Sequence, residues 1–448
     1  MAVREKSVED DDIYNRLAPG RKLVITMVLF WAVFQSTLST HSVIPAIPEV
    51  GATFQTTDTV IALSNALVLL FLVVGPVLYA PIANIFGRRP ILLITNALLI
   101  VFSLGTALAP NLAAYFILRF LSAPQVTATQ VINNVVLGDI YPPTTRGRVL
   151  GWSVLSTSLA PGLAPLLGGV IVNYTSWRVI FWVQTGIGVL AVLLLAVFLP
   201  ETIHHKKTQL FAGLTPRGKV QKFVRLMNPW EIITLLLSSR SLAINAIAVF
   251  ALHWNLQSFI MPVREVLAPR FHLTSPLHAG LFYLAPTAGY LSGSCCGGQL
   301  SDWVVRRYMR RRGRRVPEDR LNSVVGVVGV AMPACALLYG WAVQQAVGGI
   351  PLVAVMLYMQ GLCQTVAYVS LNAYCVDVME GTGKSSLAVA GSFMMRNASG
   401  AVATAACFPA IETIGIGWYM TITAGRYGQS MSISNLDPAS VQRVSSGQ

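Results

Sequence analysis

Long apolar runs recur along this chain, and they constrain its fold more than any other feature. A helix needs about 20 apolar residues to cross the hydrocarbon of a bilayer. Runs of that kind stand at about 23 to 44, 60 to 80, 91 to 109, 113 to 135, 149 to 171 and 178 to 199. A polar stretch of about 40 residues follows, with HHKK at His204 to Lys207 and TPRGKVQKFVR at Thr215 to Arg225. Five more runs come at about 241 to 262, 277 to 298, 322 to 342, 350 to 372 and 386 to 409. Composition agrees, since only 11% of the 448 residues are charged, 54% are hydrophobic and the mean hydropathy is +0.61. A soluble domain carries about 25% charged residues, so the solvent implied here is a lipid bilayer.

The pattern predicts an all-α membrane protein. Its expected parts are a tail over 1–22, a six-helix bundle over 23–199, a linker over 200–240, a second bundle over 241–425 and a polar tail over 426–448. The twelfth position is irregular. Its apolar stretch, Ile411 to Gly425, is too short to cross comfortably, so the last helix reads as a stub, either truncated or atypical.

The net charge of +14 does not point to nucleic acid, because the basic residues sit in short segments between apolar runs and not on an aromatic-studded face. With the N-terminus inside, roughly 27 of the 32 Lys and Arg fall on cytoplasmic segments. The first 20 or so residues are charged and lack the apolar core of a cleavable signal peptide. The six cysteines show neither metal-ligand spacing nor a nearby His, which argues against a disulfide framework and for small core residues.

The two halves repeat a spacing. Asn84 precedes Arg88 and Arg89 as Asp302 precedes Arg306 and Arg307, and Asp139 precedes Arg146 as Asp377 precedes Lys384. Each pair follows the second or fourth run of its half, which predicts a six-plus-six internal repeat and the two-bundle architecture of a transporter. A carboxylate set against guanidinium groups and helix ends makes charge-assisted hydrogen bonds that hold two bundles in one conformation and release in the other. For Arg310 to Arg315 the simpler reading, a topology anchor, is preferred.

Several phrases resemble the major facilitator superfamily, in particular its fungal, twelve-helix drug:proton antiporter branch. GQLSD at Gly298 to Asp302, with Arg306, resembles the family's loop motif after the eighth helix, and FGRRP, with Gly87, Arg88 and Arg89, resembles its counterpart after the second. In that first copy Asn84 replaces the usual acid and Ala80 the leading Gly, which weakens the N-terminal latch. YFILRFL around Arg119 resembles the fourth-helix motif, and SLAPGLAPLLGG, with Pro161, Gly162, Pro165, Gly168 and Gly169, resembles the antiporter motif of the fifth. SWRVIFW, FLPET and PEDRL are further phrases of the same branch. The small residues and prolines of the fifth helix also allow close helix approach and bending. The resemblance implies transport between two bundles, without a cofactor or a metal, by a monomer in the plasma membrane.

All eighteen acids fall in tails, loops or helix ends. What the runs do contain is Arg119, Arg396, His253 and, near an outer end, His41. Charge inside a bilayer is costly, at about 2.5–3.5 kcal/mol per residue on insertion scales, so these positions are informative. Arg119 and Arg396 come from opposite halves, and an arginine facing the cavity between the halves would bind a carboxylate bidentately; each is also readable as a structural residue. Gln35, Trp254, Asn255 and Asn397 are candidate liners beside them. If protons are coupled, His41, His253 and the helix-end Asp139 are the candidate carriers. Asn173, in NYT, is a weak glycosylation candidate.

The substrate reading is divided. The resemblance implies drug efflux, whereas the absence of a central acid favours a small organic acid, an itaconate-like dicarboxylate, or an uncharged secondary metabolite. A receptor-like membrane protein that does not transport is the alternative of another class. No Walker loop, catalytic carboxylate pair, Ser/His/Asp order or metal cluster points to an enzyme.

Overall fold

A computed structural model describes residues 17–203, 217, 230–267, 270–271, 282–313, 316–379 and 384–434. The segments quoted above at His204 to Lys207 and Thr215 to Arg225, apart from Arg217, lie outside the described residues. The described chain is helical throughout, with one helix or helical pair at each predicted position. The first half comprises α1 Pro19–His41, the short α2 Ile47–Thr53, α3 Asp58–Phe71, α4 Val74–Phe86, α5 Arg88–Ala107, α6 Leu112–Ile140, α7 Pro143–Tyr174 and α8 Arg178–Phe198. After α9 Trp230–Ser238, the second half comprises α10 Arg240–Ile260, α11 Leu284–Arg312, α12 Met332–Gln345, α13 Gly349–Val378 and α14 Ser385–Ser434.

Among the described residues eight helices are long and apolar enough to cross a membrane by length and composition, or nine if a bent pair counts as one. Helices α6 and α11 do not reach that standard, for a physical reason. Arg119, Gln125, Gln130, Asn133 and Asn134 in α6, and Ser294, Ser301 and Asp302 in α11, are buried against protein and not lipid. The lipid-facing set is apolar instead, with Val101, Leu193, Val197 and Val330 all more than half exposed. Buried and exposed faces are thus both hydrophobic, and the polar residues occupy the seams between helices.

Two apolar cores hold the halves. Ile25, Leu29, Leu92, Val136, Leu150 and Leu195 pack the first, and Phe259, Tyr339, Val343, Leu357, Cys407 and Met420 the second. The two halves meet along α7 and α11 through small residues. A Cβ at Gly298 would stand 2.8 Å from the Arg148 Cα, one at Gly151 2.8 Å from the Ser294 carbonyl, and one at Gly162 would overlap the Thr287 side chain.

The twelfth position is a bent and broken helix. Helix α14 breaks at Gly415, φ 79° and ψ 157°, and then runs on to Ser434. Beyond the break, Gly417 N–H donates to Gln344 Oε1 at 2.6 Å, Trp418 meets Trp341 edge-on at 5.6 Å, and Tyr419 OH lies 2.8 Å from Ser258 Oγ. The backbone continues helical past the apolar stretch because its hydrogen bonds do not require apolar side chains.

Candidate functional site

One end of the molecule gathers the ends of α4, α6, α11 and α13 with the starts of α1, α5 and α7, and most of the described basic residues; this is the basic end. Asp302, near the end of α11, accepts the backbone N–H groups of Gly147 at 3.0 Å and Arg148 at 2.9 Å, both in α7 of the other half. Arg320 lies fully buried in the turn Pro317–Ser323. It donates to Asp302 Oδ1 at 3.3 Å, to Asp377 Oδ2 at 2.6 Å, to Ser301 Oγ at 3.0 Å and to the Pro143 carbonyl at 2.5 Å. Arg146 Nη1 donates to Asp377 Oδ1 at 2.5 Å. Two carboxylates and two guanidinium groups therefore join α7 of the first half to α11 and α13 of the second. Burial pushes the Asp302 carboxyl up from its ordinary range, while Arg320 and the two α7 amides pull it back.

The other residues of the repeated spacing stand around this cluster. Arg306 is exposed and donates to the backbone carbonyl of Asp302, not to its carboxylate. Lys384, also exposed, stands 4.0 Å from Glu231. Asp139 pairs with Arg88 at 3.4 Å, within its own half. The spacing in sequence brings these residues to one end of the molecule, and packing between elements adds Arg320 to them, because a rigid helix fixes where a side chain starts and not which element packs above it. Arg320, in the phrase PEDRL, follows two acids beside the Arg-rich segment, which is its signal in the sequence.

The first copy of the repeat still joins the halves. Asn84 Oδ1 accepts from Arg88 Nη1 at 2.7 Å and from the hydroxyl of Ser386, in α14, at 2.7 Å. Gly87, with φ 111°, turns the chain between α4 and α5 where a Cβ would meet the Glu201 carboxylate. That carboxylate accepts the Arg88 amide at 2.9 Å, and Arg89 Nη2 donates to the Ala196 carbonyl at 2.7 Å.

The middle of the molecule is polar. Arg396 on α14 reaches across the halves and donates from Nη2 to Gln130 Oε1 of α6 at 2.6 Å. Its Cζ lies 4.1 Å from the Phe393 ring centre, and its buried Nε has no hydrogen-bond partner. Gln130 in turn donates to Thr37 Oγ1 of α1 at 2.9 Å. Arg119 has partners of another kind, all in its own half. It donates to the Ser39 carbonyl at 3.2 Å and to Asn65 Oδ1 at 3.1 Å, and lies 5.7 Å from the Phe181 ring.

His253 Nδ1 is 2.9 Å from Tyr368 OH, and His41 Nδ1 is 3.1 Å from the Thr37 carbonyl one turn back. Asn255 Oδ1 accepts from Gln360 at 3.4 Å, and Trp254 stacks on Phe250 at 6.5 Å. Gln35 Oε1 and Asn397 Nδ2 are buried without hydrogen-bond partners. In α7, Pro161 and Pro165 lie inside the helix, Gly162 faces Thr287, Gly168 faces the Ser42 carbonyl, and Gly169 meets only Pro45. Asn173 is exposed in the last turn of that helix. Among the described residues no group of three His, Cys, Asp or Glu side chains gathers to hold a metal.

A family model described as Major Facilitator Superfamily matches residues 29–405. The chain belongs to that superfamily. It is 22% identical to the MFS antiporter QDR3 of Candida albicans, over 90% of this chain and 76% of the relative. It is 26% identical to the efflux pump radE of Floropilus chiversii, over 91% and 78%. Among solved structures, the human organic anion transporter MFSD10 superposes with a TM-score of 0.70 at 14% identity, covering 93% of this chain and all of that one. The proton:xylose symporter XylE superposes with a TM-score of 0.68 at 14% identity, covering 94% and 96%. As a major facilitator member this is a multi-pass membrane protein and a secondary transporter, not an enzyme, and its substrates are small molecules.

Proposed function

We propose that this transporter exports a small organic anion, an itaconate-like dicarboxylate or an acidic secondary metabolite, in exchange for protons. It works as a monomer in the plasma membrane with the basic end in the cytoplasm. The observation that carries the substrate class is Arg396. Its guanidinium stands at the seam between the halves with one neutral acceptor, Gln130, and an unoccupied Nε. A buried charge is costly unless paired, and all eighteen acids lie outside the middle of the spans. The protein therefore leaves the positive charge for a ligand to complete.

The direction and the coupling rest on other supports. Relatives named antiporter and efflux pump favour export. Basic segments favour the cytoplasmic face, and with that orientation the latched state is closed to the cytoplasm. Opening would then break the contacts of Asp302 and Asp377 while the halves rock about the central site. His253, held by Tyr368, and the helix-end Asp139 are the proton candidates.

Drug efflux is the second reading, favoured by the resemblance of the fourth- and fifth-helix motifs to the fungal drug:proton antiporter branch. Transport into inside-out vesicles separates the two, with labelled itaconate compared against a lipophilic cationic drug, with and without an imposed pH gradient. Proton-dependent itaconate uptake that is lost in Arg396→Gln supports the anion reading. Uptake of the drug alone, insensitive to Arg396, rejects it.

A further inference from the structure

Arginine offers a carboxylate two hydrogen bonds along one edge, from Nε and Nη2. On Arg396 that edge is half filled. Gln130 Oε1 takes Nη2 at 2.6 Å, and the buried Nε beside it is empty. A glutamine amide has one oxygen, so it cannot accept at both positions with carboxylate geometry. The Gln130 amide nitrogen is tied to Thr37 Oγ1 at 2.9 Å, and that hydroxyl donates to the Val33 carbonyl at 2.9 Å. Gln130 is thereby oriented with its oxygen toward Arg396, and the tie runs unbroken from α1 through α6 to α14.

We infer that Gln130 is a tethered stand-in for the substrate carboxylate, which must displace it from Arg396 to bind. The inference rests on the organic-anion reading of Arg396 and adds a residue that sets its affinity. An arriving carboxylate fills both positions of the edge, releases the Gln130 oxygen and cuts the mid-depth tie between the halves. Gln130 therefore weakens apparent affinity while keeping the arginine solvated by protein when the site is empty. This predicts an unusual sign: removing a polar residue from the binding site tightens binding.

Equilibrium binding of labelled itaconate to the purified full chain in nanodiscs tests it. Four proteins are compared: wild type, Gln130→Met, Gln130→Glu and Arg396→Gln. Methionine keeps the volume and removes the acceptor, and Kd should fall about tenfold to a hundredfold, the range expected for losing a competing charge-assisted hydrogen bond. Glutamate supplies both oxygens from within, and Kd should rise at least about tenfold. Because the two substitutions act in opposite directions, misfolding cannot imitate the pair. Weaker or unchanged binding in Gln130→Met, with binding lost in Arg396→Gln, overturns the stand-in and leaves the anion reading standing. Normal binding in Arg396→Gln overturns both.

Discussion

Arg320 Nε meets Asp377 Oδ2 at 2.6 Å with both side chains buried, and the same guanidinium reaches Asp302 and the Pro143 carbonyl. One arginine thus neutralises an acid from each of two helices of the second half and binds the first half directly. Breaking a buried ionic cluster by removing one member costs about 3–5 kcal/mol, because the partners are left buried and uncompensated.

Arg320→Gln should therefore open the basic end. The readout is maleimide labelling of Ser386→Cys, a position now buried against Asn84, with the native cysteines replaced. Labelling should rise strongly over the Arg320-containing control, and equal labelling rejects the cluster as a latch. The pH dependence has a definite sign. Burial already raises the Asp302 carboxyl, and without Arg320 the closed state binds a proton there more readily than the open state. Acidifying the basic side should then restore closure and lower the labelling.

Arg306→Ala should leave transport within about fivefold, because an exposed arginine on its own helix carbonyl contributes at most about 1 kcal/mol. A loss as large as that of Arg320→Gln would return the gating role to Arg306.

Asp302→Asn keeps an acceptor for one α7 amide and removes the charge facing Arg320. Turnover should fall several-fold while insertion and yield stay normal, consistent with a loss of about 1–3 kcal/mol in the latched state. Unchanged turnover in vesicles of matched protein content would exclude the latch role of this carboxylate.

Gly162→Val places side-chain atoms where Thr287 of α11 now sits. Overpacking at a close helix crossing costs about 1–3 kcal/mol, so thermal unfolding in detergent should shift down, and Thr287→Ala in the same protein should recover part of the loss. No recovery would separate the two sites.

Gly415→Ala forces a Cβ into φ 79° at the break in α14. The strain is about 1–3 kcal/mol, and the melting temperature should drop while Gly425→Ala, which meets nothing within 4 Å, changes little.

The apolar runs determined the all-α class, the two-half arrangement and the places of the acids, because a bilayer makes span length and charge placement properties of the sequence itself. They also marked Arg396, since an arginine inside an apolar run is conspicuous wherever its side chain points. Which groups meet was decided only by tertiary structure. Asp302 and Asp377 are conspicuous in the sequence, yet their shared partner Arg320 comes from a turn between helices. Gln130, one amide among several in α6, became significant only when α14 brought Arg396 to its oxygen. A hydrogen bond depends on positions fixed to a few tenths of an ångström, and those positions come from how the helices pack, while periodicity and composition reach only as far as which face each helix offers.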